Sequence, residues 1–431
     1  MTFASSPLLP DGPTREDLVR CVRCGLCLSA CPTYQLLGLE TDSPRGRIHL
    51  MRAVSEGRLP LSEGVVLHLD RCLGCRACEP ICPSAVPFGR MLEAMRAVIA
   101  RQHPTPGWRG RLERFAFRAV LPSRRVVGLL VALLRFAEAS GLRRLLRPWL
   151  PPALRPLEAL APVQLAPPYH PQPFLPALGP ERGQVLFFLG CVMPALFGEV
   201  HRASEELLRR AGFAVITPPA QTCCGALMAH AGQRELARAL ARRNLAALAG
   251  DAPIIVNAAG CGAMLKEYGE LLADDPHLTA AARQVASRVQ DISEFLAAVG
   301  LPQPLGPVPV TVTYQDACHL AHAQRIRREP RALLQQVPGL QLVELPASDR
   351  CCGSAGIYNL THPLLAAELL ERKVDDILTT GASLVAVGNP GCLLQLQAGL
   401  RQRKVPLRAV HPVSLLVEAC RRGADLTATS P

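Results

Sequence analysis

The stretch CVRCGLCLSACP, from Cys21 to Pro32, recurs as CLGCRACEPICP, from Cys72 to Pro83. Each copy reads C-x2-C-x2-C-x3-C-P, so four thiols and one proline return in the same order. A glycine inside each loop, Gly25 or Gly74, allows the backbone to bend sharply between the cysteines. The spacing therefore predicts two short loops that can each bring three sulfur atoms to one point.

This doubled spacing is that of [4Fe-4S] loops in which the fourth cysteine of each loop serves the other cluster. Thiolate sulfur is the soft ligand that iron–sulfur clusters need. Structural zinc and paired disulfides are the alternatives, and eight cysteines in one repeated register disfavour both. We predict two [4Fe-4S] clusters with crossed ligation. The predicted ligands are Cys21, Cys24, Cys27 and Cys82 for the first cluster and Cys31, Cys72, Cys75 and Cys78 for the second.

Composition limits the number of domains and predicts the cellular compartment of the chain that carries these loops. The chain has 431 residues, of which 49% are hydrophobic, enough for two to four domains. Seventeen cysteines without a signal peptide predict reduced or metal-bound thiols in the cytoplasm. No apolar run reaches the roughly 18 residues that a membrane span requires.

The net charge of +12 is concentrated between residues 101 and 156, where twelve arginines face two glutamates. Apolar residues interleave with these arginines, as in a basic helix that lies on anionic lipid or in a partner's groove. Helices packed on their own protein are the alternative, and no nucleic-acid motif accompanies the charge. We predict peripheral contact with the cytoplasmic face of the inner membrane. The apolar residues expected at the lipid are Phe115, Phe117, Leu129, Leu130, Leu133, Leu134 and Trp149.

A proline-rich stretch follows, with eleven prolines among the 33 residues from Pro148 to Pro180. Proline lacks a backbone N–H and disfavours regular helix, so we expect an extended connector without helix.

Beyond this connector a second pattern is duplicated, with corresponding cysteines 127 to 131 residues apart. Each cysteine follows a run of Val, Ile, Leu or Phe, and helical patterns alternate with these runs, which predicts two α/β modules with mainly parallel sheets. Ligands bind at the carboxyl ends of such strands. We therefore predict additional metal or redox sites, and Cys420 is interpreted as a buried small residue. The candidates are Cys191, Cys223, Cys224 and Cys261 in the first module and Cys318, Cys351, Cys352 and Cys392 in the second.

The strings CPTYQLLG, SPRGRIHLMRAV, LDRCLGCRACEPICPS, GCGAMLKEYG and CCGSAGIYNLTHP resemble the iron–sulfur subunits of bacterial glycolate oxidase. The duplicated pattern also resembles the cysteine-rich CCG domain of heterodisulfide reductase, lactate-utilisation proteins and the anaerobic glycerol-3-phosphate dehydrogenase C subunit. The similarity covers nearly the whole chain. It implies an electron-transfer subunit that passes electrons from the FAD of a partner, which oxidises glycolate to glyoxylate, to a quinone or another acceptor.

The chain departs from the heterodisulfide reductase pattern, whose modules end in CxxC. Met264 and Gln395 stand where a fifth cysteine would be, so each module offers four thiols. The disulfide chemistry of that relative is therefore not expected. A cluster at four thiols and a cluster-free, purely structural role both remain open for these cysteines.

No nucleotide-binding motif or Ser-His-Asp arrangement is present, so no catalytic residue is assigned and hydroxy-acid oxidation is expected on a partner flavoprotein. His319, His322, His362 and His411 are interpreted as structural rather than proton-transferring. The alternatives are an iron–sulfur subunit for lactate or glycerol 3-phosphate, and a non-enzymatic redox protein.

The predicted fold is α+β and multidomain. A mainly helical two-cluster domain occupies residues 1–104, and a basic amphipathic and proline-rich connector occupies 105–182. The α/β modules occupy 183–310 and 311–431.

Overall fold

A computed structural model describes residues 9–151, 155–162 and 165–428. Residues 1–8 of the predicted first domain, 152–154 and 163–164 of the connector, and 429–431 of the second module lie outside the described residues. The described chain is rich in helix and contains two sheets dominated by parallel pairing, which agrees with the predicted fold class. The boundaries at 104, 182 and 310 stay predictions.

The N-terminal part is helical in its described residues. Ser43 starts the third helix because its hydroxyl accepts a hydrogen bond from Gly46 N at 3.0 Å, and Pro44 suits the first helical position. The helices are α1 (Arg15–Val19), α2 (Pro32–Leu37), α3 (Pro44–Ser55), α4 (Glu63–Asp70) and α5 (Phe88–Gln102), with 3-10 turns at Leu26–Leu28 and Glu40–Asp42. Their shared core includes Met51, Leu69, Met91, Leu92 and Met95.

The connector is helical in its basic part, as predicted, and its proline-rich part is more helical than predicted. It contains α6 (Gly107–Phe115), a π-helical turn (Ala116–Val120), α7 (Arg124–Ala139), α8 (Leu142–Leu146), a 3-10 turn (Arg147–Trp149) and α9 (Arg155–Leu160). The expectation that the proline-rich stretch excludes helix is therefore wrong. Pro156 falls in the first turn of α9, where a backbone N–H has no helical partner to lose, and Pro162 lies beyond the end.

The first module carries five strands in the order β1-β3-β2-β4-β5. Only β1 is antiparallel, and it pairs with β3 at the edge. The strands are β1 (Phe174–Leu175), β2 (Gly183–Phe188), β3 (Phe213–Ile216), β4 (Ile254–Val256) and β5 (Val289–Asp291). The helices are α10 (Met193–Leu196), α11 (Gly198–Arg210), α12 (Ala226–His230), α13 (Arg234–Ala247), α14 (Ala259–Lys266), α15 (Tyr268–Leu271), α16 (Thr279–Arg288) and α17 (Ile292–Val299).

The second module carries a four-stranded parallel sheet in the order β7-β6-β8-β9. The strands are β6 (Val310–Tyr314), β7 (Leu340–Val343), β8 (Leu384–Ala386) and β9 (Arg408–Val410). The helices are α18 (Arg328–Gln335), α19 (Tyr358–Thr361), α20 (Pro363–Thr379), α21 (Pro390–Gln402) and α22 (Pro412–Ala428), with a π-helical turn at His319–Ala323. This order repeats β3-β2-β4-β5 of the first module, so the predicted duplication is also seen in the topology.

The two modules pack against each other. One hydrophobic cluster contains buried residues from both sheets, among them Val185 and Val312. The loops after β4 and β8 meet, since Ala259 N donates to Gly388 O at 3.1 Å and Gln324 Nε2 donates to Ala259 O at 3.0 Å. Corresponding sheet edges of the two modules therefore lie close together. Within the described residues, no helix is both long and apolar enough to cross a membrane.

Candidate iron–sulfur centres

The first ferredoxin-type loop lines an open cavity of about 430 Å3. Gly25 has a φ of 86°, and a Cβ there would lie 2.7 Å from Arg45 Nη1, so this turn requires glycine. Cys24 is exposed. The cysteines that line the cavity are Cys21, Cys24, Cys27, Cys78 and Cys82. The fourth cysteine of the second loop, Cys82, thus lies with the first loop.

Three cysteines of the second loop, Cys72, Cys75 and Cys78, are buried. Burial, followed by the neighbouring Cys318, raises the pKa of the Cys75 thiol well above its usual value. Cys31, the fourth cysteine of the first loop, is an electrostatic neighbour of Cys75 and Cys78. Arg47 Nη1 lies 3.9 Å from Cys31 Sγ. The fourth cysteine of each loop therefore lies near cysteines of the other loop, and the crossed ligand sets stay a prediction.

In the first module, four thiols gather where three strands end. Cys191 follows β2, Cys223 and Cys224 follow β3, and Cys261 lies in the first turn of α14 after β4. The Sγ atoms of Cys191 and Cys223 are 3.5 Å apart, and those of Cys224 and Cys261 are 3.3 Å apart. Strand topology thus assembles the thiols that the sequence predicted at this edge.

The second module repeats this arrangement. The side chain of Cys351 interacts with those of Cys318 and Cys352, and the side chain of Cys352 also interacts with that of Cys392. The hydrogen bonds with its two neighbours hold the pKa of Cys352 below its usual value. Asn389 Nδ2 lies 3.4 Å from Cys392 Sγ. The four thiols of the second module, here called the second quartet, therefore approach one another as do those of the first module, the first quartet.

The two quartets have different surroundings. His319 Nε2 lies 3.1 Å from Gly74 O, and Tyr358 OH donates to Arg71 O at 3.0 Å. The second module therefore contacts the backbone of the second ferredoxin-type loop. Cys75 and Cys351 share one hydrophobic cluster. The first module contacts this loop through Glu267, which pairs with Arg76. The connector also covers the first module, since Phe117 belongs to the same hydrophobic cluster as its thiols and Arg124 donates to Gln221 O.

The positions that could hold a fifth thiol are filled otherwise. Met264 is buried in the first module's core, and Gln395 Oε1 accepts a hydrogen bond from Asn359 Nδ2 at 3.0 Å. Within the described ranges, no three candidate ligands converge as they would around a single metal ion, and the thiols approach one another in pairs. Buried, clustered sulfur at four positions per module is a donor set of the kind that iron–sulfur clusters use.

The four singled-out histidines are hydrogen-bonded within the fold. His411 Nε2 lies 3.0 Å from Asn257 O, and burial lowers the pKa of His411 to about 4. His322 Nε2 lies 3.2 Å from Asp349 O. His362 stacks on Tyr358. These contacts agree with their structural interpretation.

Two buried charged groups near the thiols were not singled out from sequence. Arg47 is 0% exposed and bridges Cys31, Thr33 and Asp42. Lys373 is 0% exposed and interacts electrostatically with Cys351 and Cys352. The helical strings that contain them read as ordinary amphipathic helices, in which Lys and Arg are normally at the surface.

Family models match three parts of the chain. The model described as a 4Fe-4S dicluster domain matches residues 17–86, and the one described as a cysteine-rich domain matches twice, over 185–266 and 312–397. Together with the thiol geometry, these matches define an iron–sulfur electron-transfer protein with a dicluster domain and a duplicated cysteine-rich domain.

Curated relatives narrow this class. The chain is 39% identical to "Probable glycolate oxidase iron-sulfur subunit" of Bacillus subtilis, covering 94% of each chain, and 35% identical to "Glycolate oxidase iron-sulfur subunit" of Escherichia coli, covering 88% of this chain and 90% of that one. "Lactate utilization protein A" of Oceanobacillus iheyensis is 30% identical over 54% of this chain and 96% of its own length. The chain belongs to the family of glycolate oxidase iron–sulfur subunits, and the predicted resemblance and electron-transfer function are confirmed.

Proposed function

We propose that this chain passes electrons from a flavoprotein partner, which oxidises glycolate to glyoxylate with its FAD, toward a quinone or another acceptor. Iron–sulfur clusters exchange single electrons, which suits a step after a two-electron donor such as reduced flavin. One observation carries the proposal: the exposed Cys24 lines a cavity together with Cys78 of the second loop, and Cys75 of that loop shares a hydrophobic cluster with Cys318. The chain is arranged as a relay.

We further propose the crossed ligand sets stated above for the two [4Fe-4S] clusters. The shared cavity of Cys82 with the first loop and the proximity of Cys31 to the second loop support this assignment. The division into a two-cluster domain, a connector and two modules is part of the same proposal. A lactate-oxidising complex is the second candidate, because of the similarity to lactate utilization protein A.

Reduction by glycolate tests this division of labour. Mixed anaerobically with its flavoprotein partner, the chain should lose its cluster absorbance on addition of glycolate, as followed by stopped-flow. The chain alone should not respond, because it carries no flavin motif. Lactate serves as the matched substrate. Bleaching of the isolated chain by glycolate would contradict the proposal, and faster bleaching by lactate would favour the second candidate.

We also propose that the connector holds the complex at the cytoplasmic face of the membrane. Val127 and Val131 of α7 pack near Ala195, while Leu129, Leu130 and Leu133 of the same helix are exposed. Phe117 is buried, so the expectation that it meets lipid is wrong: it packs into the first module's core. The exposed apolar residues of the connector include Trp108, Leu112, Phe115, Leu129, Leu130, Leu133, Phe136, Leu145 and Trp149.

Exposed arginines flank this apolar surface, whereas others serve the fold. Arg124, Arg135 and Arg143 bind backbone oxygens, so they are unsuitable for a test of lipid binding. Each basic residue near an anionic surface contributes about 1 kcal/mol. The surface therefore combines apolar burial with electrostatic attraction, as interfacial helices do.

Changing four exposed arginines of the connector to Gln should weaken binding to anionic liposomes at least about tenfold in sedimentation, because about 1 kcal/mol is lost per residue. High salt should weaken the unaltered chain likewise. The control removes four exposed arginines from the second module. Equal binding by both variants would mean that the connector is an internal packing element. The connector residues are Arg111, Arg118, Arg125 and Arg144, and the control residues are Arg325, Arg328, Arg372 and Arg403.

A further inference from the structure

The duplicated modules differ in charge beneath their cysteine pairs. A Cβ on Gly225 would lie 3.2 Å from Ala237 Cα, and a Cβ on Gly353 would lie 3.2 Å from Ala366 Cα. The helices α13 and α20 therefore contact the glycine that follows each cysteine pair at equivalent points. A shift of 129 residues relates Ala237 to Ala366. The same shift relates Asn244 in α13 to Lys373 in α20. These two residues therefore occupy equivalent places.

Both residues anchor the loop that leads into the cysteine pair. Asn244 Oδ1 accepts from Thr222 N at 2.8 Å, and its Nδ2 donates to Cys223 O at 3.0 Å. Lys373 Nζ donates to Ala347 O at 2.7 Å and lies 3.5 Å from Ser348 O. A neutral amide thus meets this structural need in the first module. The second module uses a cation for a comparable purpose.

The charge of Lys373 is not neutralised by a salt bridge in the described part of the chain. The neighbouring Asp376 is paired with Arg350 at 3.0 Å. Burial lowers the pKa of Lys373 to about 8, so its ammonium group still dominates at neutral pH. Burying a cation costs free energy, and a neutral residue would avoid that cost. The hydrogen bonds of Lys373 to the backbone therefore do not by themselves explain why this buried position carries a positive charge.

A fixed positive charge favours any group nearby that gains an electron, and net charge and hydrogen bonding set the potential of iron–sulfur clusters. Lys373 interacts electrostatically with Cys351 and Cys352. The same quartet faces the second ferredoxin-type loop through Cys318. The first module has the neutral Asn244 at the place of Lys373, its cation near the thiols is Arg124 of the connector, and it contacts the second loop through Glu267 and Arg76. The two sets of four cysteines therefore have different electrostatic surroundings.

We infer that the second module's four cysteines hold a redox cluster that accepts electrons from the cluster of the second ferredoxin-type loop. We also infer that Lys373 is a positioning residue that raises the reduction potential of the second module's cluster. The inference rests on the proposed function, namely that the chain carries electrons. The favoured step is the transfer of one electron. No bond forms or breaks, and no proton moves.

The test uses the full chain, purified anaerobically, with iron and acid-labile sulfide analysis and an EPR-monitored redox titration driven by dithionite. Iron should exceed the roughly eight atoms of two cubanes. The additional signal should vanish in a Cys351→Ala, Cys352→Ala variant and survive in Cys223→Ala, Cys224→Ala. Its midpoint should fall by about 59 mV or more, a tenfold change for one electron, in Lys373→Asn.

Lys373→Met keeps the side-chain length without the charge and replaces the Asn variant if that variant does not fold. It should show the same fall in midpoint potential. Lys373→Arg should retain the potential, and Lys404→Asn, at an exposed lysine, is the matched control. An unshifted midpoint, a signal that depends on the first module, or no iron beyond two cubanes would each overturn the inference. Dithionite reduces the clusters directly, without glycolate or a flavoprotein partner. This titration therefore succeeds or fails independently of the proposed role in glycolate oxidation.

Discussion

Replacing Cys82 by Ala should abolish the cluster of the first loop, although Cys82 belongs to the second. Cys82 lines the cavity formed by Cys21, Cys24 and Cys27, and loss of one thiolate ligand leaves the cube incompletely held. About half of the iron of the two cubanes should be lost. Reciprocally, Cys31→Ala should abolish the cluster of the second loop.

Reference variants make the assignment unambiguous. Cys24→Ala removes a ligand of the first loop alone, and Cys75→Ala removes one of the second. EPR spectra of Cys82→Ala should match those of Cys24→Ala, and spectra of Cys31→Ala should match those of Cys75→Ala. The opposite matching would show that each loop keeps its own fourth cysteine. Loss of Cys420, far from both loops in sequence and hydrogen-bonded to Pro302 O, should leave both clusters in place.

Local patterns predicted much of this structure. The cysteines of the modules were expected at strand ends because each follows a β-rich run, and the described strands end three to seven residues before Cys191, Cys223 and Cys318. The doubled loop spacing likewise predicted which thiols come together. Such features depend on residues that are near one another in sequence, or on a repeat that is visible without structure.

Contacts between distant segments could not be predicted in this way. Nothing in the sequence around Tyr358 or His319 indicates that these side chains bind the loop at residues 71–74. The burial of Phe117 and the short helix at Arg155–Leu160 have the same origin, because tertiary packing overrides an amphipathic pattern or a proline count. The different covers of the two quartets, on which the relay depends, are features of this kind.

The buried charges of the N-terminal part are another such feature, and they govern its stability. Asp42 is 0% exposed, and its carboxylate accepts from Arg47 Nη2 at 3.2 Å and Arg71 Nη1 at 3.3 Å. Arg47 also donates to His68 O at 2.7 Å and to Thr33 Oγ1 at 3.0 Å. This network joins α2, α3 and α4 behind the second ferredoxin-type loop.

We expect Asp42→Asn to destabilise the N-terminal part by about 3 to 5 kcal/mol, because it removes the carboxylate partner of the buried Arg47 guanidinium, which cannot deprotonate, and leaves Cys31 Sγ, at 3.9 Å, as its nearest anionic neighbour. Anaerobic thermal denaturation, followed by cluster absorbance, should show a midpoint lower by on the order of 10 °C. The control is Glu56→Gln, which removes partly exposed ion pairs with Arg52 and Arg58 and should cost about 1 kcal/mol or less. Equal midpoints for the two variants would mean that Arg71 and the backbone oxygens already satisfy the buried site, so that the carboxylate of Asp42 contributes no more than a surface charge.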